Sequence, residues 1–266
     1  MSVLSFQTVP AEGETGRFTD IRRREETSST NAEVLELARV GAPEGLVVVA
    51  DHQTAGRGRR GRVWIAPPGS ALLASVLLRP RLAAVDAHLV TLAAALAASD
   101  ACYQVAGIRP ALKWPNDLVL EAPLNEVGAS GKLAGILAHS LVEGDVLHAV
   151  VVGMGCNVTA AAATVPAAVC LEAAAGRPVD RDALLGAWLG HLDHWYASAL
   201  VGEGGRRNVL EAYRRWCSTL GRRVRVELAD GAVEGRAVDV TDDGRLVVET
   251  ATGRRWISAG DVVHLR

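Results

Sequence analysis

The chain has 266 residues, a formal net charge of −2, and 49% apolar but only 4% aromatic residues. That is enough apolar material for one large domain, or a medium domain plus a small one, and too much for a disordered chain. The missing basic excess excludes a general polyanion binder, so any anion site must be local.

The N-terminal 27 residues are polar and rich in Arg and Glu, and read as an irregular lead-in. Ser28-Ser29-Thr30-Asn31 then precedes an apolar-periodic run, with Glu33 nearby, as at a helix N-cap. GLVVVAD (45–51) and ALLASVLLR (71–79) are apolar runs between turn signals, expected as buried strands. From Ala84 to about Val105, the spacing of Val85, His88, Leu89, Leu92 and Leu96 predicts an amphipathic helix. ALKWPNDLVL (111–120), LAGILAHSLVEG (133–144) and VLHAVVVGMGCNV (146–158) predict successive strands, with a hairpin at Glu143-Gly144-Asp145.

A helix follows from Asp182 to about Leu200, with Leu185, Trp188, Leu189, Leu192 and Trp195 on one face. Another is expected over Asn208 to Leu220, with Gly221 as its C′ residue. Beyond Gly221 the pattern alternates at period two, with turns at Asp230-Gly231, Asp243-Gly244 and Thr252-Gly253. About five short strands in roughly 45 residues predict a small antiparallel barrel. The chain thus divides into domains 1–220 and 221–266.

The cysteines, Cys102, Cys156, Cys170 and Cys217, form no CxxC pair, which argues against a disulfide framework or structural zinc. Neither a basic-then-apolar leader nor a run of about 18 apolar residues is present. The expectation is a soluble, cytoplasmic protein with no membrane contact.

Of 28 basic residues only two are lysine, Lys113 and Lys132. Where arginine is so favoured, a lysine points to a position that needs a compact ammonium, unless its presence is chance. Their locations argue against chance: both lie at the mouths of expected strands, within 20 residues of each other.

Gly56-Arg57-Gly58-Arg59-Arg60-Gly61-Arg62 follows the first buried strand. Its glycines let the backbone approach a ligand, and its four arginines focus a positive field. Such a loop orders around a phosphate or carboxylate, or else stays a solvated basic turn. Lys113-Trp114-Pro115-Asn116-Asp117 places a cation and two polar groups around a proline that marks a strand end. It suits a phosphate site, or merely an Asn-Asp turn. Gly131-Lys132-Leu133-Ala134-Gly135 carries the second lysine into a strand. Gly153-Met154-Gly155-Cys156-Asn157 ends another and leaves room for a flat group, a weak signal alone.

In this order and spacing, SSTN (28–31), DHQTAGRGRRGRVW (51–64), KWPNDL (113–118), GKLAGIL (131–137) and GMGCN (153–157) resemble the bacterial biotin–protein ligase family. The resemblance covers roughly residues 28 to 266. It implies an α+β fold: a mixed, mainly antiparallel sheet flanked by helices, as in class II aminoacyl-tRNA synthetases, with an SH3-like C-terminal barrel. It also implies ATP and biotin as substrates, Mg²⁺ as the metal, and biotinyl-AMP as the intermediate.

By the same resemblance, Ser29, Thr30, Asn31 and Gln53 hold the biotin ureido ring, and Gly135 lines the biotin site. Arg57, Gly58 and Arg59 fold over the biotin carboxylate and the adenylate phosphate, with Arg60 on the adenylate side. Trp64 stacks on adenine and Asn157 contacts it. Lys132 bridges the carboxyl and the α-phosphate, Lys113 adds a second positive contact, and Arg57 joins both as catalytic. Asn116 and Asp117 serve the phosphates, with Asp117 on Mg²⁺. The cations would offset repulsion between two anions and stabilise charge at the reacting phosphorus.

The acceptor implied is the biotin carboxyl carrier protein domain of acyl-CoA carboxylases, and the enzyme a monomer or a weak ligand-dependent homodimer. A lipoate-type ligase shares the fold but lacks the GRGRRGR loop and the barrel. A biotin-responsive repressor adds an N-terminal winged helix; with SSTN beginning at residue 28 there is no room for one, so no DNA binding is expected. Segment 121–130 reads as a mobile loop, and the alanine-rich 158–168 as a cover for adenine.

Overall fold

The computed structural model describes residues 16–121, 130–161 and 168–265. Most of the two loops expected at 121–130 and 158–168 lies outside the described residues. Strand β1 (Asp20–Thr27), helix α1 (Thr30–Arg39) and strand β2 (Leu46–Gln53) form a βαβ unit whose strands pair in parallel. The irregular lead-in expected over 1–27 is therefore corrected, because its last eight residues are a strand. Its charges conceal it: β1 is the outer strand of the sheet, where Arg and Glu side chains suit solvent and discourage edge pairing.

The remaining large strands are β3 (Ala71–Leu78), β4 (Ala111–Lys113), β5 (Asp117–Glu121), β6 (Ser130–Glu143) and β7 (Val146–Asn157). The sheet runs β1-β2-β3-β7-β6-β5-β4, and every pair except β1–β2 is antiparallel. ALKWPNDLVL is two strands rather than one. Residues 114–116 make the turn between β4 and β5, and the Trp114–Pro115 peptide is cis. The expected hairpin at Gly144 forms, with Gly144 at φ +58°.

Both faces of the sheet are covered, and side-chain alternation assigns each residue to one of them. Val47, Val49, Leu72, Ala74, Val76, Val150 and Val152 face α2 (His88–Ala106) and α4 (Arg181–Leu200). Leu46, Val48, Leu77, Ala149 and Val151 face α1. Helix α2 is not amphipathic as expected: it is buried nearly all round between the sheet and α4. Its many alanines let both neighbours approach closely. Val85, placed on its apolar stripe, is exposed in a short 3₁₀ turn before it. Length and apolarity would allow α2 to cross a membrane, but that burial marks it as a core helix. On α4, Leu185, Trp188, Leu189 and Leu192 are buried, and the Trp188 indole donates to the Ala94 carbonyl.

A short α3 (Leu171–Ala175) follows β7, and α5 (Gly202–Trp216) follows α4. Helix α5 starts six residues earlier than expected and ends at Trp216 with Cys217 as its C-cap, so Gly221 is not its C′ residue. Gly221 instead takes φ +81° in the turn before β8. The barrel strands are β8 (Arg223–Glu227), β9 (Ala232–Val240), β10 (Leu246–Thr250), β11 (Gly253–Ile257) and β12 (Asp261–His264), in the order β11-β10-β9-β8-β12. Val224, Val226, Val240, Leu246 and Val248 merge with the main core.

The barrel is tied to the turn after β4. Thr219 Oγ1 accepts from the Trp114 backbone N–H at 3.1 Å, and the Trp114 indole donates to the Gly244 carbonyl at 3.1 Å. His264 Nε2 lies 3.3 Å from the same Thr219 hydroxyl. Burial, then the charges of Lys113 and Arg222, lower the His264 pKa to about 4 from an ordinary 6.5. The unfolded chain therefore takes up a proton near pH 6.5 and the folded one only near 4. Stability should fall as pH drops through that window, by at most about 3 kcal/mol from this group. Urea unfolding at pH 7 and pH 4.5 should show a smaller loss in His264→Gln than in the parent. Equal losses would exclude His264 as the source.

Candidate active site

The face of β7 that packs under α1 continues from Ala149 and Val151 to Gly153, Gly155 and Asn157. Glycine at the middle two positions leaves bare backbone, and it is required there. A Cβ on Gly153 would sit 2.1 Å from Asn31 Oδ1, and one on Gly155 2.6 Å from Trp64 Cε2. Above this floor lies a cavity of about 380 Å³, within the range that holds a small molecule.

Its far wall is the start of α1. The Ser29 hydroxyl accepts from the Ala32 N–H as the helix N-cap. Gln53 Oε1 accepts from the Thr30 backbone N–H at 2.8 Å and from its hydroxyl at 3.1 Å. Ser75 donates to Thr30 Oγ1 or to Asn31 Oδ1, at 2.7 and 2.5 Å, and Asn31 Nδ2 donates to the Leu137 carbonyl. Sequence reasoning missed Ser75, although a lone hydroxyl in the apolar run ALLASVLL was a readable signal.

The near wall carries the charge. Lys132 Nζ lies 2.7 Å from Asp117 Oδ1 and 5.7 Å from the centre of the Trp64 ring. Lys113 is opposite Asp117 across the β4–β5 turn, and β5 separates the two lysine-bearing strands. Burial, offset by Asp117 and reinforced by Lys132, lowers the Lys113 pKa. The glycine–arginine loop closes the top as a small hairpin, with Trp64 N–H donating to Gly56 O and Gly58 N–H to Arg62 O. Arg59 Nη1 is buried without a hydrogen-bond partner, and desolvation lowers its pKa. A half-buried guanidinium with one unsatisfied nitrogen at a cavity wall suits an incoming anion. The Trp64 indole Nε1 is likewise buried and unpartnered.

The structure brings Ser29, Thr30, Asn31, Gln53, Arg57, Gly58, Arg59, Trp64, Lys113, Asn116, Asp117, Lys132, Gly135 and Asn157 to this one cavity. Arg60 is the exception, a correction to its expected adenylate contact: it donates to the Glu227 carbonyl of β8 at 2.9 Å. Two amides are already engaged. Asn116 Nδ2 donates to Ile136 O at 2.7 Å, and Asn157 Nδ2 to Val169 O at 3.1 Å, so both brace the walls. Arg62, Asp261, Val262 and Val263 also line the cavity and were not foreseen. Asp261 could not have been found by motif, since it lies about 200 residues from the loop it meets.

For Mg²⁺ the donor set is sparse. Asp117 is paired to Lys132, and no cluster of three His, Cys, Asp or Glu occurs among the described residues. That fits only an ion carried mainly by nucleotide phosphates, the usual habit of Mg²⁺, with Asp117 at most one ligand.

Residues 24–157 match the biotin/lipoate A/B protein ligase family, and residues 219–265 the biotin protein ligase C-terminal domain. A biotin–[acetyl-CoA-carboxylase] ligase of Mycobacterium tuberculosis is 39% identical over 91% of this chain and 87% of its own length. The bifunctional ligase/repressor BirA of Bacillus subtilis is 32% identical over 88% of this chain and 71% of its own. Among solved structures, the biotin protein ligase of Aquifex aeolicus in complex with biotin and ATP superposes with a TM-score of 0.75. Its identity is 25%, covering 94% of this chain and all of that one. The expected α+β fold class, with its C-terminal antiparallel barrel, stands. Taken with the glycine-floored, cation-walled cavity, these likenesses show that the chain belongs to the biotin protein ligases of the biotin/lipoate A/B protein ligase family.

Proposed function

We propose that this cavity carries both halves of protein biotinylation, and that the acceptor is the lysine of a biotin carboxyl carrier domain. The observation that carries the reading is the pair of lysines flanking Asp117 beside Arg59, whose Nη1 has no hydrogen-bond partner. In the first half, a biotin carboxylate oxygen attacks the α-phosphorus of ATP and pyrophosphate leaves. Lys132 sits between carboxylate and phosphate, while Lys113, Arg57 and Arg59 offset the meeting of two anions. Mg²⁺ carried in by ATP, with Asp117 as at most one protein ligand, would further neutralise the phosphates. The indole of Trp64 offers adenine a stacking face, and Gly153 and Gly155 keep the floor clear.

In the second half the acceptor amine attacks the acyl carbon, the amide forms, and AMP leaves with the phosphate oxygen. Water must stay out between the halves, which the arginine loop achieves by closing over the adenylate. The Ser29–Asn31 wall with Gln53 holds the ureido ring, its groups pre-set by Ser75. With a net charge of −2, no DNA is part of this activity.

The purified chain should exchange pyrophosphate into ATP in the presence of biotin and not of lipoate, and then label a carrier domain at one lysine. Lipoate-dependent exchange alone would overturn the reading. A salt-sensitive, sequence-specific gel shift would overturn its DNA-free part.

A further inference from the structure

Four arginines crowd the loop from Arg57 to Arg62, yet they do not share one direction. Arg57 and Arg59 line the cavity without reaching the barrel, Arg62 lines it and pairs with the barrel, and Arg60 reaches the barrel alone. Their common partner there is Asp261, the first residue of β12. Its Oδ2 pairs with Arg62 and lies 3.5 Å from Arg60 Nη1. Arg60 also holds φ +55°, the left-handed region, and no other non-glycine residue does so among the described residues. Such a conformation persists only where its surroundings enforce it.

The anchor is fixed independently of the loop. Gly260 packs against β8, where a Cβ would lie 2.5 Å from Val226 Cγ1. The barrel is also held by Trp114 at Gly244, and by Arg214 at Asp239, Asp242 and the Val240 carbonyl. A rigid carboxylate on the cavity's barrel rim therefore meets a self-repelling loop, binds two of its four charges there and attracts Arg59 at longer range.

We propose that Asp261 is a positioning residue for adenylation: it holds Arg60 and Arg62 at the barrel rim of the cavity, so that Arg57 and Arg59 are the loop arginines left to face the adenylate. The inference rests on the cavity being the site of acyl-adenylate formation. Asp261 touches neither substrate in this role; it acts through Arg60 and Arg62. Neutralising it would let Arg59 leave its half-buried place, because the strained turn at Arg60 would relax and the attraction of Asp261 for Arg59 would be lost.

The test is Asp261→Asn in the full-length chain, which keeps the shape and removes the charge. Trypsin should cut the ligand-free variant faster between Arg57 and Arg62. Biotinyl-AMP should dissociate about tenfold faster, and the KM for ATP in pyrophosphate exchange should rise by a similar factor, as expected of a displaced catalytic group. Asp261→Glu should restore most of both. In Asp261→Asn/Arg62→Gln the losses should not multiply, because the two side chains act as one unit.

Faster cleavage with unchanged adenylate retention would leave a structural tether only and overturn the positioning role. Tighter ATP binding in Asp261→Asn would also overturn it, by making the carboxylate a competitor of the phosphates. If the parent protein shows no biotin-dependent exchange, the reading of the cavity fails instead, whatever trypsin reports.

Discussion

Lys132→Arg should lower biotin-dependent pyrophosphate exchange by about 10²- to 10³-fold, the usual loss when one stabiliser of developing negative charge is removed. The melting temperature should barely change. A surface lysine would tolerate the swap within about 0.5 kcal/mol and without loss of activity. Lys132 is not in that position: its ammonium is 2.7 Å from Asp117 and lies over the Trp64 ring. A Cβ on Gly135 would lie 3.5 Å from Nζ, in ordinary van der Waals contact, so the ammonium rests beside the bare backbone of that glycine. A guanidinium is longer and planar, and cannot occupy the same point between two oxyanions. Arginine is also the residue this chain uses for nearly every other cation. Normal exchange by the variant would overturn both the role of Lys132 and the argument from lysine scarcity.

Gly155→Ala should raise the Kd for ATP by about 5- to 150-fold, the range expected if one base–aromatic stack worth about 1–3 kcal/mol is lost. Biotin binding should change much less, because the Ser29–Asn31 wall is built on other elements. The new methyl carbon would fall 2.6 Å from Trp64 Cε2 and 2.9 Å from Cζ2, distances that packing does not permit. Either the strand or the indole must move. The indole has no hydrogen bond to hold it, whereas β7 is paired on both sides, so the ring is displaced. Isothermal titration with ATP and with biotin separates the two effects. Equal weakening of both ligands would point to collapse of the floor rather than loss of the stack.

Much of the candidate site was legible because its chemistry is local in sequence. A glycine-spaced arginine run and two scarce lysines at strand mouths imply anion binding whatever the fold. The barrel was legible for a similar reason: period-two alternation with Asp-Gly turns is a short-range signal, and five strands form where they were expected. Helix α2 was found, but its setting was not. Its apolar spacing fits both a half-exposed helix and one covered on two sides, and only packing against the sheet and α4 distinguishes them.

By itself the sequence determined which groups are available: the cations, the glycines that clear a floor, and the order of strands and helices that carries them. Only the tertiary structure decided how those groups are spent. It converted the charged lead-in into the edge strand β1, where solvent on one side makes charge acceptable. It committed Asn116 and Asn157 to backbone carbonyls, and placed Ser75 under Asn31. It tied two of four neighbouring arginines to a barrel carboxylate about 200 residues away, at the rim of the cavity that the other two line. The reason is range: turn chemistry and periodicity act over a few residues, whereas ion pairs and packing join whatever the folded chain brings within a few ångströms.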